Sequence, residues 1–133
     1  MASYHFSVKS KNKGYALGHY LYISRLMQYE GIRKTSNETV EHIEPGRCMP
    51  SFVKDPIEFW QAADTYERAN AKVYMEYEIA LPNEFTPDQR KTLIETFFDK
   101  HIVPQQYTHS YAIHNVKSRL SGEEQPHCHL MFS

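Results

Sequence analysis

YTHSYAIHNVKSRLSGEEQPHCHLMFS, residues 107–133, holds two runs of alternating character separated by a polar stretch. In the first run, residues 107–116, Tyr111 and Ile113 suit a core face while Ala112 and His114 point the other way. In the second, residues 127–133, His127 and His129 share one face of a strand, and Cys128, Leu130 and Phe132 share the opposite one. Residues 117–126, with Gly122, read as the polar loop of a hairpin that brings His114 beside the pair. Three neutral imidazoles form a facial ligand set that leaves positions open on a divalent cation, the arrangement of a catalytic rather than a closed structural metal. Histidines hydrogen-bonded on a half-exposed sheet account equally well for a lone H-x-H. Alternation sends the Cys128 sulfur to the core side, which argues against a Cys/His zinc site.

Working back along the chain, AKVYMEYEIA, residues 71–80, alternates again. Val73, Met75, Tyr77 and Ile79 fall on one face, and Tyr74, Glu76, Glu78 and Ala80 on the other, so two carboxylates project from one side of a strand. Thr86-Pro87-Asp88-Gln89 and Asp55-Pro56-Ile57-Glu58 each supply an N-cap, a proline at the first helical position and a capping-box residue, which predicts helices over 87–101 and 56–70. The second of these carries Phe59, Trp60 and Ala63 on its apolar side. Residues 31–54, with Pro45-Gly46 and Pro50, show no period and read as a long excursion with at most short strands. Residues 15–29 have apolar residues at helical spacing, and Tyr4, Phe6 and Val8 alternate with His5, Ser7 and Lys9 on a first strand. The order βα(loop)αβαββ predicts an α+β fold, a mainly antiparallel sheet with helices packed on one face and the other face left for a site.

The 133 residues, 41% hydrophobic and 23% charged with a formal charge of −1, suit one globular domain and contain no repeat, apolar span or signal peptide. Cys48 and Cys128 make no disulfide framework, so a reduced, cytoplasmic setting is expected. Residues 1–34 carry six basic residues against Glu30, a local charge of +5 that fits either a solvated face or a polyanion contact.

The segment CMPSFVKDPIEFWQAADTYERANAKVYMEYEIALP, residues 48–82, with the opening ASYHF and the closing PHCHLMFS, resembles the MobA/MobL group of plasmid-mobilisation relaxases, HUH endonucleases. The resemblance implies nicking and religation of one DNA strand at a plasmid transfer origin through a 5′-phosphotyrosyl intermediate. It implies that Tyr22, in Tyr22-Ile23, is the nucleophile and that His114, His127 and His129 hold a divalent metal, Mn²⁺ or Mg²⁺, with Zn²⁺ as a substitute in preparation. Tyr20, two residues earlier, points about 200° away on a helix and cannot stand in for Tyr22. Glu76 and Glu78 fall at positions the group keeps acidic, to orient a metal-bound histidine or to take the tyrosine proton. In this light Lys9, Lys11, Lys13 and Arg25 flank the tyrosine and would meet the DNA backbone, with His5 a weaker candidate. The partners implied are single-stranded DNA, accessory mobilisation proteins and a type IV secretion coupling protein. Residues 1–133 would form one nuclease domain that stops short of the group's usual length, so a fragment that binds metal or DNA but nicks poorly is an alternative. A rolling-circle replication initiator is another, although such enzymes commonly place the tyrosine after the HUH strand.

Overall fold

The structure, a computed structural model, describes residues 6–29, 38–46, 49–117 and 120–133. Tyr4, His5 and Cys48, singled out above, lie outside the described residues. Five antiparallel strands, β1 (Phe6–Asn12), β2 (Glu38–Ile43), β3 (Lys72–Ala80), β4 (His109–Lys117) and β5 (Glu124–Phe132), form one sheet in the order β1-β3-β5-β4-β2. The helices are α1 (Ala16–Ser24), α2 (Pro56–Tyr66) and α3 (Pro87–His101). The architecture is α+β, as the order of elements implied.

The central strand β5 is covered on both sides. Cys128, Leu130 and Phe132 join Tyr111 and Ile113 of β4 beneath Ile94 and Phe98 of α3. Met131, pointing the opposite way, packs with Ala16, Tyr20, Leu21 and Ile23 of α1, Trp60 of α2 and Tyr74 of β3. The expectation of helices on one face only is therefore corrected: α3 covers one face, and α1 with α2 covers part of the other. The reason is in β5 itself, since its histidine face is polar at His127 and His129 but apolar at Met131, and the apolar end must be buried.

Helix α3 spans the predicted residues, and its capping box is formed, Thr86 Oγ1 accepting from the Gln89 N–H and the Gln89 side chain from the Thr86 N–H. Helix α2 starts as expected, with Asp55 accepting from the Glu58 N–H at 2.8 Å, but ends at Tyr66 instead of residue 70. There the chain turns through Asn70 in the left-handed region to enter β3. Helix α1 stops at Ser24, five residues short of the expected end, because Arg25 adopts φ 53° and the Leu26 N–H returns to the Leu21 carbonyl at 3.0 Å. A 3₁₀ turn, Met27–Tyr29, follows.

Two boundaries move further. The stretch expected to be mostly irregular contains β2, a six-residue edge strand whose polar sequence hides it. Its Glu41 pairs with Arg90 of α3, both side chains almost wholly buried, so its pairing depends on a partner about fifty residues away. The loop expected at residues 117–126 is shorter, since β4 and β5 stay in register out to Lys117 and Glu124.

Candidate metal centre and nucleophile

The hairpin register sets His114 opposite His127 and Ala112 opposite His129, which brings the three imidazoles onto one face. Their ring centroids are 5.5, 4.9 and 4.9 Å apart, and one ring nitrogen from each lies within 4.8 Å of the other two. His114 is fully buried. Burial, the neighbouring His129 ring and the Arg25 charge push its imidazolium down to about 3 despite the hydrogen bond to Ile23. Burial and His129 likewise push His127 downward. Both rings are thus neutral near pH 7, the state in which a ring nitrogen carries a free lone pair.

Their outer nitrogens are held. His127 Nδ1–H donates to the Gln125 carbonyl at 3.1 Å and His129 Nδ1–H to Glu76 Oε1 at 3.0 Å, which leaves each Nε2 with its lone pair. His114 Nε2–H donates to the Ile23 carbonyl at 2.5 Å. Its Nδ1 is a buried nitrogen with no hydrogen bond, 3.0 Å from Glu38 Oε1. A buried lone pair facing a carboxylate is an arrangement that a cation relieves, so the donor set and its surroundings fit a divalent metal. Burial would raise the Glu76 carboxyl, but hydrogen bonds from His129 and His19 outweigh it and hold the group at about 2. Glu78, paired in register with His129, stands on the same face.

Helix α1 meets the cluster at its C-terminal end through the Ile23 carbonyl. Its register places Tyr22, 41% exposed, outward and Tyr20, 5% exposed, into the core, as the helical spacing required. The Tyr22 ring touches Tyr29 edge-on at 5.4 Å, lies 6.2 Å from the near-parallel ring of His19, and has the Arg25 guanidinium 4.5 Å from its centroid. Arg25 is not a surface cation. It is 4% exposed, forks onto Glu38 at 2.7–2.8 Å and also donates to the Tyr22 carbonyl. The expectation that it meets DNA is corrected: the left-handed turn at residue 25 swings its side chain under Tyr22, where the buried Glu38 needs a counter-charge. Lys9 and Lys11 are exposed on edge strand β1, opposite Glu76 and Tyr74 and so on the histidine face, and Lys13 is half-buried just beyond.

Three contributors escaped the sequence reading. Asp64 of α2 accepts hydrogen bonds from the N–H groups of Gly14, Ala16 and Leu17 at 2.8–3.0 Å and so caps α1 from 48 residues away. Glu38 sits in a stretch with no periodic signal. His19 stands three residues before Tyr22, a spacing that places both on one helix face and could have marked it.

A family model described as the MobA/MobL family matches residues 18–133. The chain is 45% identical to a 43 kDa relaxation protein from Salmonella typhimurium over 133 residues, all of this chain and 35% of that protein. It is 39% identical to a Mobilization protein A from Escherichia coli over 136 residues, again all of this chain and 18% of that protein. The chain thus spans about a third and under a fifth of these relatives' lengths. A solved structure described as the molecular basis of vancomycin resistance transfer in Staphylococcus aureus shares the fold, with a TM-score of 0.69 and 23% identity, over 99% of this chain and 70% of that one.

Proposed function

This chain belongs to the MobA/MobL family, and on that premise we propose that it nicks and rejoins one strand of DNA at a plasmid transfer origin, with Tyr22 as nucleophile. The observation that carries this reading is the juxtaposition of three convergent imidazoles with the end of the helix that exposes Tyr22. Tyr22 Oη forms a bond to phosphorus as the bond to the 3′ oxygen breaks. The phenol proton is lost and the departing 3′ oxygen gains one, leaving a free 3′ hydroxyl and a 5′-phosphotyrosyl ester. Since one phosphodiester replaces another, the 3′ hydroxyl can reverse the step.

His114, His127 and His129 would hold a divalent cation, Mn²⁺ or Mg²⁺, whose charge would make the phosphorus a better electrophile. Glu76 and the Gln125 carbonyl keep His129 and His127 in the tautomer that presents Nε2 inward. Glu76, which accepts the Nδ1–H of His129, orients that ligand. Lys9 and Lys11, exposed on the same face, suit the strand's phosphates. No helix of the described residues is long and apolar enough to cross a membrane.

The test is an SDS-stable adduct assay with labelled single-stranded oligonucleotides carrying candidate transfer origins, with Mn²⁺ or EDTA. The expected outcome is an adduct that needs Mn²⁺ and is absent in Tyr22→Phe. An adduct that persists in Tyr22→Phe, or in EDTA, overturns the reading. If His127→Ala abolishes Mn²⁺ binding yet the parent chain never forms an adduct on its origin, these residues make a metal-binding module and not a nicking domain.

A further inference from the structure

We infer that His19 is a positioning residue that ties the orientation of the Tyr22 ring to the histidine cluster. The inference rests on the reading of Tyr22 as nucleophile, and its geometry stands apart from the three ligands. His19 and Tyr22 are three residues apart on α1, and their rings lie near-parallel, 27° apart with centroids at 6.2 Å. His19 is also near-parallel to Tyr74, at 5.4 Å and 11°, and Tyr74 in turn meets the fully buried Trp60 at 6.2 Å. A column of rings therefore runs from the core to the exposed tyrosine, with His19 as its last internal member.

The same ring also reaches sideways. His19 Nε2, a buried nitrogen with no hydrogen bond among the described residues, comes within 2.9 Å of Glu76 Oε2, while Glu76 Oε1 accepts the Nδ1–H of His129. One carboxylate is thus shared between a residue of the ligand cluster and the ring that stacks beneath the nucleophile. Strand β3 supplies both supports, since Tyr74 and Glu76 are two residues apart and face the same way. Placing a cation against His129 polarises its N–H toward Glu76 and alters how that carboxylate holds His19, so the Tyr22 ring senses whether the cluster is loaded. The benefit is order: an exposed phenol left to its own rotamers attacks a phosphate less often than one held in place.

The experiment places 3-fluorotyrosine at position 22 of the full chain and follows its ¹⁹F resonance as Zn²⁺ is added. The expected result is a shift in the parent chain that disappears in His19→Ala, while that chain stays folded and still binds Zn²⁺. His19→Gln, which keeps an N–H donor, retains part of the shift, and His19→Phe, which keeps only the stack, loses it. Under single turnover at saturating oligonucleotide, His19→Ala slows adduct formation about 10- to 100-fold with the oligonucleotide Kd unchanged. A His19→Ala chain that keeps both the shift and the rate overturns the inference, and so does a rate loss matched by an equal loss of folding stability. A His19-dependent shift in a chain that forms no Tyr22 adduct upholds the coupling and leaves the nucleophile reading as the one that fails.

Discussion

Tyr20 and Tyr22 stand two residues apart on α1 in opposite surroundings, one buried in the core and the other exposed. Burial pushes the Tyr20 phenol upward, so it stays protonated in the core, while Tyr22 presents its ring to solvent. The same logic applies to the histidines. His109, 2% exposed against the Phe98 ring, has its imidazolium pushed down by burial, partly opposed by the hydrogen bond at the Tyr107 carbonyl and by the charges of Glu44 and Asp99. An unfolded histidine titrates near 6.5, so below about that pH the unfolded chain binds a proton that folded His109 refuses. Its contribution is fully present above pH 6.5 and is lost as pH falls toward its lowered native value. In the metal-free chain the melting temperature should drop between pH 7 and 5, with a shallower slope in His109→Phe; identical slopes would sink the assignment.

Helix α1 has nine residues, too few to hold itself together in water, and Tyr15 before it offers no side-chain cap. Its place is set from outside, by Asp64 at the first turn and by the Ile23 carbonyl on His114 at the last. Asp64 and Trp60 belong to the stretch WQAADTYERAN that carries the family resemblance, and both are structural. Trp60 Nε1–H donates to Ser110 Oγ at 3.0 Å and anchors α2 to β4, and four residues on, Asp64 holds the helix that bears Tyr22. Removing three charge-assisted bonds with Asp64→Ala should cost about 2 kcal/mol in urea denaturation. Asp64→Asn, which keeps one acceptor oxygen, should lose less. If Asp64→Ala unfolds at the parental midpoint, α1 is held by packing alone.

Across the molecule, one sheet separates the work of its faces. The α3 side is apolar from Leu81 to Phe132, while the other is divided between an apolar end under α1 and α2 and a polar end bearing the histidines, Glu76 and Glu78. The three histidines come from a hairpin whose neighbours β3 and α1 supply the supporting bonds, so a cation held there as proposed would join sheet to helix and stabilise the fold by mass action. At a hundredfold excess over its dissociation constant, Mn²⁺ should add about 2.7 kcal/mol, visible as a raised melting temperature that EDTA reverses. His127→Ala should erase the shift, and a shift that survives places the cation elsewhere.

Local rules were enough for the α+β class, the full extent of α3, the shared face of His127 and His129 and the opposed directions of Tyr20 and Tyr22, because strand alternation, helical angle and caps act within a few residues. The assignment to the family was legible too, in motifs that span most of the chain. Tertiary structure alone decided that Arg25 turns inward to a buried Glu38, that Asp64 caps a helix 48 residues before it, that polar β2 closes the sheet edge, and that helices cover both faces. In each of these the stabilising partner lies far along the chain, and the free energy comes from burying charges or apolar surface that only the folded chain brings together.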